Sequence, residues 1–219
     1  DQFDEVDIQL HCQDKEDPLS HEESMALLRV TVKSKDAQVV GRIFTAKVVE
    51  LALANYPGWF SKDSIGSGTP FILYWPTTID SKFVKEIVNI DNKSIEITPT
   101  NQMNLSPHKF TFDKPEILPY ESDEKQEIFF GRLVGARSGD KGGCANLGVW
   151  VKTDDAYSFL FHYLTVDKLK ELLTDLEQYD IERYDFPNVR AVNFYIHGIL
   201  GDGASSNTKV DSLAKSLGE

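Results

Sequence analysis

The residues best placed to do chemistry are crowded into one run, Ala136-Arg137-Ser138-Gly139-Asp140-Lys141-Gly142-Gly143-Cys144-Ala145-Asn146-Leu147-Gly148. Arg137 and Lys141 beside accessible peptide N–H groups can hold a carboxylate, a thioester oxygen or the phosphates of coenzyme A. Charge-assisted hydrogen bonds are strong, and glycine lets a ligand oxygen approach the backbone. Asp140 can act as a general acid or base where burial or a neighbouring lysine shifts its pKa. Ser138 is a weaker nucleophile because no GxSxG elbow surrounds it, and Cys144 reads as a small buried residue rather than a reactive thiol. The spacing matches neither GxxxxGK[ST] nor a GxGxxG turn, so neither ATP nor NAD is implied. The competing structural reading is a hairpin connection with Asp140 as a turn residue and Lys141 in solvent.

A second glycine-rich run, Gly198-Ile199-Leu200-Gly201-Asp202-Gly203, follows His197 at the end of an apolar strand. If the two runs lie at one edge of a sheet, His197 and Asp202 meet Asp140 and Lys141. His162 sits in an aromatic run and reads as packing. His11, His21 and His108 have no ligand spacing, so no metal is inferred.

The elements that must position these residues divide into two sets. Phe3–Leu10 and Met25–Val32 alternate as strands. A helix follows, capped by Ser34, with Val39, Val40, Ile43, Phe44, Val48, Leu51 and Ala52 on one face, ending at Asn55-Tyr56-Pro57-Gly58. Phe71–Trp75 reads as a buried strand, and 83–90 with 94–98 as a hairpin about Asp91-Asn92-Lys93. Residues 99–126 lose periodicity and collect four prolines, which marks a linker or strap. Beyond it, apolar Ile128–Val134 leads as a strand into the glycine-rich run, and Leu147–Val151 leads out. Thr165 caps a helix striped by Leu169, Leu172, Leu173 and Leu176, with Leu164 as its staple. Strands over 179–186 and 190–200 and a last helix over Val210–Leu217 complete the second set. The fold class is α+β: two small mixed sheet and helix units over 1–98 and 127–219, joined by 99–126.

The whole chain has 219 residues, a net charge of −12 and a 41% apolar content, enough for real cores. That charge repels nucleic acid and anionic membranes, so neither is an expected partner. Cys12 and Cys144 form no zinc or disulfide pattern, which favours a reducing compartment. No run is long enough to span a membrane. The chain starts on Asp1 and stops inside an apparent helix, so a fragment lacking an amino-terminal part is expected.

At Ala136–Gly148 the sequence resembles the acyclic terpene utilisation protein family, whose carboxy-terminal domain carries an ARSGDKG…AN(I/V)G signature. Leu164-Thr165-Val166-Asp167-Lys168, Glu182-Arg183-Tyr184-Asp185-Phe186-Pro187-Asn188 and Ala191-Val192-Asn193-Phe194 resemble later blocks of that domain in order. The first hundred residues, notably Tyr74-Trp75-Pro76, resemble the end of the family's main domain. The resemblance implies a ferredoxin-like sandwich for the second unit and a role near the breakdown of citronellol- or geraniol-type terpenes and branched acyl-CoA compounds. It marks Arg137, Ser138, Gly139, Asp140, Lys141, Gly142 and Asn146 as motif residues.

The functional expectation is a fragment of a metabolic enzyme, a lyase that hydrates or dehydrates a branched acyl-CoA or small carboxylate. Asp140, Lys141 and His197 are its candidate catalytic residues. Arg137, Ser138, Gly139, Gly142, Asn146 and Asp202 are its candidate binding residues. Coenzyme A enters only as part of the substrate, and no separate cofactor is expected. The partners are the small-molecule substrate, the missing amino-terminal part and further copies in a homo-oligomer; the location is cytoplasm or mitochondrial matrix. The alternative is a non-catalytic module that closes or oligomerises a larger enzyme, and the excess of ionisable groups in the run argues against it.

Overall fold

The computed structural model describes residues 2–12, 15–54, 57–62, 65–97, 117, 119 and 127–219. The linker expected over 99–126 lies outside these apart from residues 117 and 119. The described chain forms two units, Asp1–Ile72 with Ser205–Ser212 and Leu73–Ala204 with Leu213–Glu219.

In the first unit, β1 (Glu5–Cys12) and β2 (Ala26–Lys33) form the antiparallel pair that alternation predicts. Register sets Val6 against Val32, Ile8 against Val30 and Leu10 against Leu28 on one side. The Lys33 ammonium meets the Glu5 carboxylate at 2.5 Å on the other. The expected helix is present, as a π-helical turn over Val39–Ile43 followed by α1 (Phe44–Leu53). Gly41 leaves helical geometry there, at φ −86° and ψ −113°. Its cap differs from expectation: Asp36 accepts the Gln38 N–H at 2.8 Å, while Ser34 bonds the Asp36 N–H at 3.1 Å, one step earlier in the turn.

The buried strand expected at Phe71–Trp75 is absent. This stretch crosses from one unit to the other without regular structure, and Trp75 is 85% exposed. A short apolar run cannot by itself supply the partner strand that makes a strand. The predicted hairpin is present as β3 (Glu86–Ile90) and β4 (Lys93–Ile97). Asp91 and Asn92 both take positive φ, 47° and 63°, as a type I′ turn demands.

The second unit's centre begins with a correction. Ile128–Val134 is not a strand: Phe130–Leu133 forms a helical turn, α2, and pairing starts only at Gly135. The glycine-rich run is therefore mostly strand. β5 (Gly135–Lys141) and β6 (Cys144–Trp150) pair along their full length, leaving only Gly142-Gly143 as the turn. Positive φ at Gly142 alone, 65°, is the sign pattern of a II′ hairpin. The chain then makes α3 (Asp154–Tyr163) and α4 (Val166–Leu172), each with a threonine cap. Thr153 accepts the Ala156 N–H at 3.2 Å and Thr165 the Lys168 N–H at 3.1 Å. Strands β7 (Ile181–Phe186) and β8 (Ala191–Ile196) close an antiparallel sheet of order β5-β6-β8-β7.

One face of this sheet holds the core. Ala145, Leu147, Val149, Val192, Phe194 and Ile196 are buried with Tyr157 and Leu160 of α3, Leu164, and Leu169 of α4. The helices therefore cover that face, and the architecture is α+β as expected. The final helix over Val210–Leu217 does not form. Ala214, 3% exposed, takes φ 51°, a left-handed conformation that ends any helical ladder despite the apolar spacing.

Candidate functional site

Because successive residues of a strand face opposite sides, burying Leu147 and Phe194 fixes what the other side shows. Register aligns Arg137, Gly148, Asn193 and Tyr184 in one row across the sheet, and Gly139, Asn146, Tyr195 and Glu182 in the next. Lys141 pairs with Cys144 in a third row. This face carries amide, phenol, guanidinium, ammonium, thiol and carboxylate groups where its opposite carries aliphatic ones.

At the β5 side a cleft of about 350 Å³ is bordered by Arg137, Ser138, Gly139, Lys141, Asn146, Gly148 and Lys215. Five of the residues singled out from the sequence thus meet in one place. The Lys141 ammonium donates to the Asp140 carbonyl at 3.0 Å, and Asn146 Nδ2 donates to Asn193 Oδ1 at 3.0 Å, which fixes the amide's orientation. Ser138 borders the cleft with its backbone neighbours, but alternation puts its side chain with Leu147. It is 5% exposed, and its Oγ has no hydrogen-bond partner among the described residues. Asp140 lies outside the cleft lining and faces Lys215, Nζ to Oδ1, at 3.9 Å.

The two glycine runs do meet. Leu200 N–H donates to the Gly143 carbonyl at 2.9 Å, and Gly203 lies beside the Gly142 carbonyl. The meeting is made by backbone, and the expected convergence of side chains does not follow. Among the described residues no bond joins His197 or Asp202 to Asp140 or Lys141. His197 Nε2 is instead 2.8 Å from Glu182 Oε1, and its ring stands edge-on to Tyr195 at 4.9 Å. The other Glu182 oxygen accepts from the Tyr184 hydroxyl. Cys144 is a free thiol whose sulfur accepts the Gly198 N–H at 3.4 Å.

These contacts shift titrations in definite directions. The Tyr184 hydroxyl first, and His197 second, hold the Glu182 carboxyl below its ordinary value, and the same carboxylate raises Tyr184. The Cys144 thiol, and then burial, raise Tyr195. Since the folded Glu182 carboxyl titrates below its unfolded value, its bonds stabilise the fold above the unfolded pKa. That contribution is lost as pH falls through the folded value. Tyr184→Phe should move the Glu182 midpoint up toward the ordinary carboxylate range, read from its ¹³Cδ shift; an unmoved midpoint would remove Tyr184 from the network.

Lys215, Tyr184, Tyr195 and Asn193 are missing from the sequence-based set. Lys215 was hidden inside a predicted helix. The strand residues carry a signal in the sequence, since alternation across 181–186 and 191–196 puts them on the motif's side once the core face is known.

Residues 130–219 match the family described as AtuA ferredoxin-like domain, and residues 1–90 match the acyclic terpene utilisation family protein AtuA. The chain belongs to the acyclic terpene utilisation family. Between them the matches leave only residues 91–129 uncovered, and the match over residues 130–219 makes the sheet with its two helices the family's ferredoxin-like domain. Searches of curated proteins and of solved structures return no match. Among the described residues no helix is long and apolar enough to cross a membrane.

Proposed function

We propose that this chain is part of an enzyme of acyclic terpene breakdown that acts on a branched acyl-CoA or a small carboxylate, with the β5 cleft holding the substrate's anionic group. One observation carries this reading: Arg137, Lys141 and Lys215 border a single cleft in a chain whose net charge is −12. In such a chain a patch of three cations around glycine and amide groups is a local exception, and oxyanions are what it suits. Arg137 offers a flat pair of donors, while each lysine offers a compact charge. At the other side of the same face, Glu182 holds one nitrogen of His197 and leaves the other ring nitrogen for a substrate proton. This suits proton transfer on the same face as a bound anion, the arrangement that hydration or dehydration of an extended lyase substrate would use. Asp140, paired with Lys215, suits the role of an orienting carboxylate better than that of the moving proton's acceptor.

The test is calorimetric titration of coenzyme A and a short branched acyl-CoA into wild type, Arg137→Ala and Lys141→Ala. Each variant should bind about tenfold to a hundredfold more weakly, the range expected for losing a charge-assisted bond. Equal affinity in all three would discard the anion site and favour a non-catalytic, assembly-forming domain.

A further inference from the structure

Two neighbouring motif residues, Gly139 and Asp140, contribute no side chain to the lining of the cleft, yet both lie against the same group. A Cβ built on Gly139 would come 2.6 Å from Lys215 Nζ, 3.7 Å from its Cε and 3.9 Å from its Cδ, and these are its three nearest atoms. Asp140 Oδ1 is 3.9 Å from the same ammonium. We propose that Gly139 and Asp140 form a seat for Lys215, which makes Lys215 the third anion-binding cation of the cleft. This rests on the reading of the cleft as an oxyanion site and assigns Lys215, far along the chain, to it.

A seat of this kind needs the chain to bring the lysine there, because an exposed ion pair at 3.9 Å holds its partners only weakly. Two anchors do so. Ala214, immediately before Lys215, is buried and left-handed, an unfavourable conformation for a residue with a Cβ that packing must enforce. Three residues after Lys215, Gly218 lies so close to β5 and β6 that a Cβ there would come 2.9 Å from Ala136 Cβ and 3.4 Å from Leu147 Cδ1. Leu217 packs on the core between the two. The backbone at Lys215 is therefore held on both sides, which fixes where its side chain starts beside the cleft.

The division of labour then explains the order Gly139-Asp140-Lys141. Glycine gives the Lys215 ammonium the volume that any side chain would fill. Asp140 orients that ammonium from beside the cleft, and Lys141 brings a second one to the same lining. The ligand chemistry is a carboxylate or phosphate oxyanion; separate titrations with inorganic phosphate, coenzyme A and a short branched carboxylate distinguish the two.

The decisive comparison keeps every charge in place. Gly139→Ala adds one methyl group, which meets only the end of a flexible side chain, so the fold should survive while the ammonium is displaced. Gly139→Ala and Lys215→Met should each weaken binding of the preferred anion about tenfold, and the double variant should be no weaker than either alone, since both act through one ammonium. If wild type binds and Arg137→Ala weakens it, but Lys215→Met or Gly139→Ala binds as wild type, the Lys215 role is overturned while the anion site stands. Additive losses would also overturn the shared seat. A ligand-independent readout covers a wild type that binds none of the anions: ¹³C spectra of reductively dimethylated lysines, with Lys215 assigned from Lys215→Met. There the anion role falls, and a Lys215 signal unmoved by Gly139→Ala would remove the seat as well.

Discussion

Gly143→Ala is expected to destabilise the ferredoxin-like domain by about 2–4 kcal/mol, although the substitution adds one carbon to a surface turn. The added Cβ runs into the carbonyl oxygen of Gly201, a backbone atom held in place by its own turn. Gly201 N–H bonds the Gly198 carbonyl at 3.0 Å and Gly203 N–H the Leu200 carbonyl at 3.0 Å, so the carbonyl cannot swing aside alone. Displacing it would also strain the 2.9 Å bond from Leu200 N–H to Gly143 and draw Leu200, 1% exposed, from the core. Gly142→Ala is the control. Its φ of 65° penalises a side chain by about 1–2 kcal/mol, but the nearest atoms to its Cβ belong to the Tyr74 ring, at 3.5 Å. Urea unfolding of the chain and both variants should therefore rank Gly143→Ala well below Gly142→Ala. The reverse order would mean that the two glycine turns are not packed against each other.

The same turn shows where sequence reasoning reaches and where it stops. The types and spacing over Arg137–Gly148 located the cleft, since charge and missing side chains are legible without coordinates. Their conformation was not. Glycines usually signal a loop, but Gly139 and Gly148 lie inside paired strands. At Gly139 the reason is seen only in space, since a Cβ there would come 2.6 Å from Lys215 Nζ, whereas a Cβ at Gly148 would meet only ordinary contacts, the nearest Asn193 Oδ1 at 3.6 Å. Apolar Ile128–Val134 has the pattern of a leading strand, yet a short apolar run does not distinguish a strand from a helical turn. Thr153-Asp154-Asp155, by contrast, carried a legible cap and acidic first turn for α3 that the aromatic run after it obscured. Contacts between distant residues, such as His197 with Glu182 and Asp140 with Lys215, have no local sequence signature.

Strand β8 alternates buried Val192, Phe194 and Ile196 with Asn193 and Tyr195 on the polar face, so adjacent residues should separate the stability of the core from that face. Phe194→Ala is expected to cost about 3–5 kcal/mol, the range for removing a fully buried aromatic ring and leaving a cavity. Phe194 is fully buried, lies in register between Leu147 and Arg183, and belongs to the cluster that joins the sheet to Leu160, Leu164 and Leu169. No neighbour can fill its space without leaving another gap, because the interior is close-packed. Tyr195, one residue on, faces the other way, between Asn146 and Glu182. Tyr195→Phe keeps the ring and its contact with His197 and removes only the hydroxyl beside Cys144, so the loss of stability should stay within about 1 kcal/mol. Equilibrium urea unfolding of both variants checks the contrast. A Phe194→Ala loss as small as that of Tyr195→Phe would mean that β8 does not divide the core from the polar face, and the assignment of Arg137, Gly139, Lys141 and Asn146 to one side of the sheet would fall with it.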